Sequence, residues 1–487
     1  MASLTIEHLP HELLIHCCSF LQGSTPDVQS LRLTSKRLHD ASSFFLVDTL
    51  TIRITTKSIS MLEAVSNHPI ISKGIKTIKL CLCFYGDVED GQTKVGLLAV
   101  CDRRIFALLL QTARAFNAVE RAPEETEQFQ LIQSRVNDIR RGLTSVELGS
   151  LEATTDSESR AIRVILNSLE VYKSRLVDQQ VVVKDGSHIR RIGVALSKLA
   201  RPSSLEIFGY DRTENDIDSS DCSIATMTEK LNSDEVCLDI FLDAMTSRGQ
   251  YLTLDMEGLC AKTFMGIFAQ LSRQQICPSH ISIDLDAPKY LELFRPSESE
   301  HEMISRVVQR AEDLSFTVRW WSKRDINFGV FKASQEEMQD LASLTSAFFN
   351  TETVRFLDLN LYDYSIQVDP PRVGLYDFFP DCKWPQLESL SLVSLPFHER
   401  ELRRLVDRHR DSLRILDMHG LHIISGTWRN SLDILRGLNC LEEVSCDWPA
   451  GAEFGNGAHE DDLVYSYSER AVCEYILRVG DMENPLG

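Results

Sequence analysis

Residues 387–392 read LESLSL and residues 413–418 read LRILDM, and these two stretches decide the fold. Apolar residues occupy the first, fourth and sixth positions of both stretches: Leu387, Leu390, Leu392, Leu413, Leu416 and Met418. The alternation of apolar and polar residues at the last three positions is typical of a short β-strand with one buried face. Between the strands the chain has helical periodicity, as in 401–412, so the sequence predicts an α/β fold.

The same six-residue pattern recurs on both sides of these stretches. It occurs at Val354, Leu357 and Leu359, and in a weaker form at Leu441, Val444 and Cys446. The four copies begin 33, 26 and 28 residues apart, close to the ~20–29 residues typical of leucine-rich repeats. A hexapeptide is also nearly repeated, as LDMEGL at 254–259 and LDMHGL at 416–421, which favours a related unit near residue 254. Weaker strand candidates lie at 75–82, 205–208, 281–285 and 314–318.

These repeats predict a curved, irregular leucine-rich-repeat-like solenoid over residues 49–487, most regular in 350–450. One strand-plus-helix unit cannot close its own core, so such units stack on their neighbours. An irregular α/β domain without stacked repeats is the alternative. Outward polar residues on the strands are the candidates for binding a protein substrate: Arg355, Asp358, Asn360, Glu388, Ser391, Arg414, Asp417 and Glu442. Trp320, Trp321, Trp428 and Trp448 are candidate anchors.

Charge and composition exclude several classes of protein. The 487-residue chain has 51 Lys and Arg against 71 Asp and Glu, a net charge of −20, which disfavours nucleic acid and anionic membranes as partners. No apolar run approaches the ~20 residues that span a bilayer. The 13 cysteines are scattered and indicate reduced thiols rather than a disulfide framework. Without a signal-peptide pattern, we expect a cytoplasmic or nuclear protein, or both.

The N-terminal segment predicts a separate helical module over residues 1–48. Residues 9–21 read LPHELLIHCCSFL, in which Pro10 suits the first turn of a helix and apolar residues recur at helical spacing. Gly23 is a natural stop, and two further short helices follow, the last starting near Ser35. Three short helices bury little surface alone, so the module needs a partner, which is either the rest of the chain or another protein.

This segment resembles an F-box. The resemblance is carried by Leu9-Pro10, Glu12-Leu13-Leu14, Ser19-Phe20-Leu21, Leu31-Arg32-Leu33 and Lys36-Arg37-Leu38, in this order over residues 9–45. Cys17-Cys18 and Thr34-Ser35 depart from the family pattern. The resemblance implies docking on the Skp adaptor of a cullin–RING ubiquitin ligase. The implied contact residues are Leu9, Pro10, Leu13, Leu14, Phe20, Leu21, Leu31 and Leu38. An N-terminal F-box before irregular leucine-rich repeats resembles a large group of fungal F-box proteins.

Motifs for chemistry are missing from the sequence. It contains no GxxxxGK[ST] or GxGxxG phosphate loop, no GxSxG nucleophile elbow and no HExxH zinc motif. We therefore expect no enzymatic activity, cofactor or metal. Residues 400–410 carry five arginines on a predicted helix. A solvated face neutralised by interleaved acidic residues and a site for phosphate or acidic peptides are the two interpretations.

Together these patterns predict the substrate-receptor subunit of a Skp–cullin–F-box (SCF) ubiquitin ligase. The F-box would bind the adaptor, and the repeats would bind an unidentified protein substrate. A non-catalytic repeat scaffold with a vestigial F-box, not linked to ubiquitylation, is the alternative. An unrecognised enzyme is the third and weakest possibility.

Overall fold

The fold was obtained as a computed structural model. It describes residues 6–85, 95–99, 101–102, 105–106, 108–110, 113, 123–150, 153, 155–184, 186–200, 202–209, 231–246, 254–286, 291–319, 334–361, 374–379, 383–447, 449, 451–452, 468–480 and 482–486. The candidate anchors Trp320, Trp321 and Trp448 lie outside the described residues.

The protein has a mixed α/β fold built on a large parallel sheet. Nine strands lie side by side in the order β1-β2-β3-β4-β5-β6-β7-β9-β11, and every neighbouring pair is parallel. Two shorter strands, β8 and β10, form a second parallel pair. The strands are β1 Thr49–Arg53, β2 Thr77–Cys81, β3 Ser204–Phe208, β4 His280–Asp286, β5 Asp313–Arg319, β6 Phe356–Asn360, β7 Ser389–Val393, β8 Pro396–His398, β9 Ile415–His419, β10 His422–Ser425 and β11 Glu443–Asp447.

Helices connect the strands. They are α1 His11–Ser19, α2 Thr25–Arg32, α3 Lys36–Ser42, α4 Thr56–Asn67, α5 Ile71–Gly74, α6 Pro123–Glu147, α7 Asp156–Val183, α8 Ser187–Leu196, α9 Asp234–Thr246, α10 Leu254–Arg273, α11 Glu298–Val308, α12 Gln335–Phe348, α13 Leu375–Phe378, α14 Glu399–His409, α15 Trp428–Leu435 and α16 Glu469–Ile476. Short 3-10 turns occupy Ile6–His8, Ser43–Phe45 and Leu291–Phe294. None of the helices in the described segments has the length and apolarity needed to cross a bilayer.

Capping side chains set the starts of several helices. Ser297 and Ser334 each accept a hydrogen bond from the backbone N–H three residues later, and the glutamate at that position accepts one from the backbone N–H of the serine. Thr55, Thr155 and Thr427 cap α4, α7 and α15 through the side chain alone. These polar side chains satisfy amides that the first helical turn leaves without partners.

The main core lies under one face of the sheet. The second and fourth residues of the nine strands form two buried apolar rows that run across it. The first row is Leu50, Ile78, Leu205, Ile281, Leu314, Leu357, Leu390, Leu416 and Val444, and the second is Ile52, Leu80, Ile207, Ile283, Phe316, Leu359, Leu392, Met418 and Cys446. Because side chains alternate along a strand, the first, third and fifth residues point to the opposite face.

The eight predicted strands are confirmed, but the predicted similarity between residues 254–259 and 416–421 is not. The four copies at 354, 387, 413 and 441 are β6, β7, β9 and β11, and the four weaker candidates are β2 to β5. The hexapeptide comparison was wrong, because LDMHGL spans the end of β9 whereas LDMEGL begins the 20-residue helix α10. Helical periodicity continues through Phe264, Phe268 and Leu271, and this context overrides the local sequence. After β9, Gly420 turns the chain with φ of 60°.

Two other expectations changed. The polar stretch 120–128 reads ERAPEETEQ and has the composition of an exposed loop, but it is helical from Pro123 onward, within α6. Strand β1 was not predicted, although it pairs with β2 in register from Thr49 with Thr77 to Arg53 with Cys81. The polar stretch 213–221 reads TENDIDSSD, which also predicts an exposed loop, and it lies outside the described residues.

Helices α1, α2 and α3 pack around a small core of their own. It consists of Leu14, Cys18, Leu38 and Ala41, with Leu9, Ile15, Leu31 and Phe45 packed at its edges. The module meets the rest of the chain where Gly74 approaches Phe44. A Cβ atom on Gly74 would lie 1.9 Å from the Phe44 carbonyl oxygen, so only glycine fits there.

Candidate interaction surfaces

Helix α1 has two apolar faces. The outward one consists of Pro10, Leu13, Cys17 and Phe20, which are all exposed, and we call it the outer stripe. Their spacings of 3, 4 and 3 residues place them on one side of the helix. Leu13 is 48% exposed and Phe20 is 78% exposed, although both are large and apolar. Such a face is typical of a surface that a partner covers.

The inward face of α1 corrects part of the predicted adaptor site. Leu14 and Leu38 are buried in the core of the module, with 0% and 4% of their surfaces exposed, so neither can contact a partner in this conformation. Both Leu13 and Leu14 are among the adaptor contacts that the resemblance implies. Consecutive residues of a helix point about 100° apart, so Leu13 and Leu14 lie on different faces. Residues 10, 13, 17 and 20 therefore form the outer face, and residues 14 and 18 form the inner one.

The other predicted adaptor residues lie at the edges of the module. Leu9, Leu21 and Leu31 are half-buried, and the Leu9 carbonyl accepts a hydrogen bond of 2.6 Å from the Arg37 guanidinium. Leu33, which follows α2, is 89% exposed and was not on the predicted contact list. The signal that could have identified Leu33 is its position immediately beyond the last turn of a short helix.

The predicted substrate residues fall into two rows across the sheet. The first row precedes the strands and consists of Glu312, Arg355, Glu388, Arg414 and Glu442, which we call the charged rim. Backbone hydrogen bonds of 2.7–2.8 Å link each residue to the one before it. Arg355 lies 3.0 Å from Glu388 and 3.9 Å from Glu312, and Arg414 lies 3.2 Å from Glu442. These side chains largely satisfy one another, which makes the rim a poor candidate for capturing a separate ligand.

The second row occupies the third strand positions and consists of Ser315, Asp358, Ser391, Asp417 and Ser445, which we call the serine–aspartate row. Ser315 donates a hydrogen bond of 3.0 Å to Asp358, and Ser391 donates one of 3.3 Å to Asp417. Burial raises the pKa of the Asp358 carboxyl, and the nearby charges of Asp417 and Asp313 act in the same direction. The hydroxyls of Ser315 and Ser391 oppose this rise in pKa.

A third row starts the same strands and carries two exposed apolar side chains. Phe356 and Ile415 are each 38% exposed, and Ser389 separates them on β7. The Arg355 guanidinium lies 5.3 Å from the centre of the Phe356 ring. Asn360 ends β6, and its buried Oδ1 has no hydrogen-bond partner among the described residues.

The arginine helix and Trp428 lie away from these rows. On α14, Arg403 pairs with Glu399 at 3.6 Å and Arg410 pairs with Asp407 at 3.1 Å, while Arg404 and Arg408 lie over the Tyr376 ring at 5.3 and 5.4 Å. This arrangement favours the solvated, neutralised face over a phosphate site. Trp428 is buried and packs against Phe397, so it is not an exposed anchor.

No arrangement for metal chemistry is seen in the described segments, where no three His, Cys, Asp or Glu side chains are placed to hold a metal ion. No protein-family model matches the chain, and a search of the curated proteins finds no significant match. Function must therefore be inferred from the outer stripe and the polar rows of the sheet.

Proposed function

We propose that this chain is the substrate-receptor subunit of an SCF ubiquitin ligase. The observation that carries the proposal is the outer stripe of α1, because its exposed apolar residues belong to the segment that resembles an F-box. Pro10, Leu13 and Phe20 are both members of the stripe and residues that the resemblance assigns to the adaptor contact. Burial of the two large side chains would supply roughly 1.5–3 kcal/mol each.

The sheet is proposed as the framework for the substrate. Strands in chain order, with repeat starts 26–33 residues apart, support a curved, irregular leucine-rich-repeat-like solenoid. The face opposite the core carries the serine–aspartate row and, in the part of the chain that the structure describes, leaves Phe356 and Ile415 partly exposed to a protein partner. In this proposal the chain does no bond-making chemistry. It raises the local concentration of substrate lysines near the ubiquitin-carrying enzyme, in the cytoplasm or nucleus.

A pull-down with purified Skp adaptor tests the proposal. The variant Leu13→Asp with Phe20→Asp places two charges on the outer stripe without touching the module core, unlike any change at Leu14. The matched control is Leu131→Asp with Leu148→Asp, which changes two exposed leucines on and beside α6. We expect wild type and control to bind the adaptor and the stripe variant to lose at least about tenfold in affinity. Equal binding by all three proteins, or none, would contradict the proposal.

A repeat scaffold without a link to ubiquitylation is the second candidate. It is favoured by Cys17, which places a small side chain at the centre of the outer stripe and reduces the apolar area offered to an adaptor. Depletion of the protein in cells distinguishes the two functions. If the chain is a receptor, its depletion removes a degradation route and a protein bound by the repeats becomes longer-lived. If the chain is a scaffold, its depletion leaves the half-life of the bound protein unchanged.

A further inference from the structure

The face of the sheet opposite the core carries an excess of acidic residues from β5 to β11. At the odd-numbered positions of β5, β6, β7, β9 and β11 the basic residues are Arg319, which ends β5, and His419, which ends β9. Five acidic residues occupy these positions: Asp313, Asp358, Asp417, Glu443 and Asp447. A partner with positive charge would therefore be favoured on this face.

Two carboxylates in the centre of this face, Asp358 and Asp417, have no cationic partner within the described segments. Among the described residues, no Lys, Arg or His nitrogen lies within 4 Å of Asp358 or Asp417, and their hydrogen-bond donors are serines. This contrasts with the charged rim, where the arginines are matched by glutamates. Asp358 is partly withdrawn from solvent, so a cation brought by a ligand would offset part of its desolvation cost.

Each of these carboxylates lies beside an exposed apolar side chain. Phe356 and Asp358 share one face of β6, and Ile415 and Asp417 share the same face of β9. Strand β7 lies between them and contributes only Ser389 and Ser391 at the matching positions. The surface is thus two apolar–acidic pairs on either side of a shallow serine trough. Acidic residues alone would not make a docking surface, but the paired apolar exposure adds contact area.

The spacing of the two pairs restricts the ligand. They are two strands apart, and strands in a sheet are separated by about 4.8 Å, so the pairs lie roughly 9.6 Å apart. An extended polyproline-II segment rises about 3.1 Å per residue and repeats its orientation every three residues, or about 9.3 Å. Side chains three positions apart in such a segment would therefore meet both carboxylates.

We propose that the β6–β9 face binds an extended segment of a partner protein that carries two lysine or arginine side chains three positions apart, each next to an apolar residue. This inference rests on the proposed function, since it names the class of substrate that the receptor would hold. Its occupant is a cationic, partly apolar peptide segment. A nucleic acid would be repelled by this acidic face, and a phosphorylated peptide would be repelled as well.

Peptide binding to the full-length protein tests the inference. The probes are two fluorescent proline-rich 12-residue peptides of identical composition, one with its two lysines three positions apart and the other with them adjacent. The test variant combines Asp358→Asn with Asp417→Asn in the serine–aspartate row, and we call it the ladder variant. It keeps the side-chain shape and removes two charges. The matched control is Glu170→Gln with Glu298→Gln, which removes two exposed charges from α7 and α11.

We expect wild type and control to bind the spaced peptide with similar affinity, and the ladder variant to bind it about tenfold more weakly. The spaced peptide should also bind wild type more tightly than the adjacent one. A second variant, Ile415→Lys, places an ammonium group beside Asp417 and should weaken binding by a similar factor. Thermal melting checks that all variants are folded.

Three results would overturn the inference: no binding of the spaced peptide to wild type, equal weakening in the ladder variant and the control, or equal affinity for the two peptides. The adaptor pull-down with the ladder variant separates this failure from that of the proposed function. The outer stripe is intact in that variant, so adaptor binding should persist whatever the peptides do. If the wild-type protein does not bind the adaptor, the proposed receptor function is itself contradicted.

Discussion

His409 is a buried histidine at the last turn of α14 that is held in its neutral form. It is 3% exposed, and its ring stacks on Trp384 with the centroids 5.9 Å apart and an interplanar angle of 19°. Burial and, to a lesser extent, the nearby charge of Arg408 lower the pKa of His409 to about 4, although a hydrogen bond to the Trp384 backbone opposes this shift. The folded protein therefore disfavours protonation at this position.

The stability of the protein should fall in mild acid because of His409. A histidine with a depressed folded-state pKa contributes stability that is present above its unfolded pKa of ~6.5 and is lost as pH falls toward about 4. Between pH 7.5 and 5.5, this amounts to about 1 kcal/mol of the free energy of unfolding. Urea unfolding of wild type and His409→Phe at both pH values measures it. From pH 7.5 to pH 5.5 the free energy of unfolding of wild type should fall by that amount relative to His409→Phe. An unchanged difference in the free energy of unfolding would contradict the lowered pKa of His409.

At the scale of elements, α1 shows which features could be read from the sequence. Strand positions were predictable because apolar alternation marks them directly, and eight of the nine strands of the main sheet carry it clearly enough to have been found. The sequence did not distinguish the buried face of α1 from its exposed face. In the doublets Leu13-Leu14 and Cys17-Cys18 both residues are apolar, so either residue of each doublet could lie on the buried face. Only packing against α3 decides which residue of each doublet is buried.

The polar rows illustrate a second limit at this scale. The sequence identified Arg355, Asp358, Glu388 and Asp417 as outward residues, but it could not show that Arg355 pairs with Glu388 whereas serines donate the hydrogen bonds to the two aspartates. That distinction depends on the register between strands 26–33 residues apart, which is set by stacking of the apolar rows. The comparison of the two near-identical hexapeptides also gave a wrong prediction. Six residues do not determine whether a segment becomes helix or strand, because the surrounding structure decides this.

Replacing Leu14 with alanine should destabilise the N-terminal module far more than the same change at Leu13. Leu14 is fully buried, so its truncation leaves a cavity and costs about 2–5 kcal/mol, whereas Leu13→Ala should change stability by less than about 0.5 kcal/mol. Hydrogen exchange of peptides covering residues 9–45 reports on the module without interference from the sheet. Equal exchange rates in the two variants would show that the assignment of inner and outer faces is wrong.

At the scale of the whole molecule, different helices lie near the two ends of the sheet. The N-terminal module contacts α5, the short helix before β2, where Phe44 meets Gly74. At the other end, α16 packs beside β11 and buries Val472, Tyr475 and Ile476. The Tyr475 hydroxyl donates a hydrogen bond of 2.5 Å to Asp433 of α15, which fixes the terminal helix to the preceding unit. Uncovered sheet ends promote association between chains, so α16 is expected to keep the protein monomeric.

Disrupting this terminal helix should expose the β11 end of the sheet. The variant Val472→Asp with Ile476→Asp places two charges in its buried face, and we expect a lower melting temperature together with larger species in size-exclusion chromatography with light scattering. The control is Arg470→Asp on the exposed side of the same helix, which should leave both measurements unchanged. A monomeric double variant with wild-type melting would show that α16 is dispensable.

The alternation of charge along the rim has a consequence for how the parallel sheet could have lengthened. Glutamate and arginine take turns from Glu312 to Glu442, with one residue contributed by each successive strand. Duplication of a single unit would set two like charges on adjacent strands about 5 Å apart, which is unfavourable, whereas duplication of two consecutive units would preserve the alternation. The alternation of charge therefore favours insertion or loss of strand–helix segments in pairs, because only an even number keeps opposite charges on neighbouring strands.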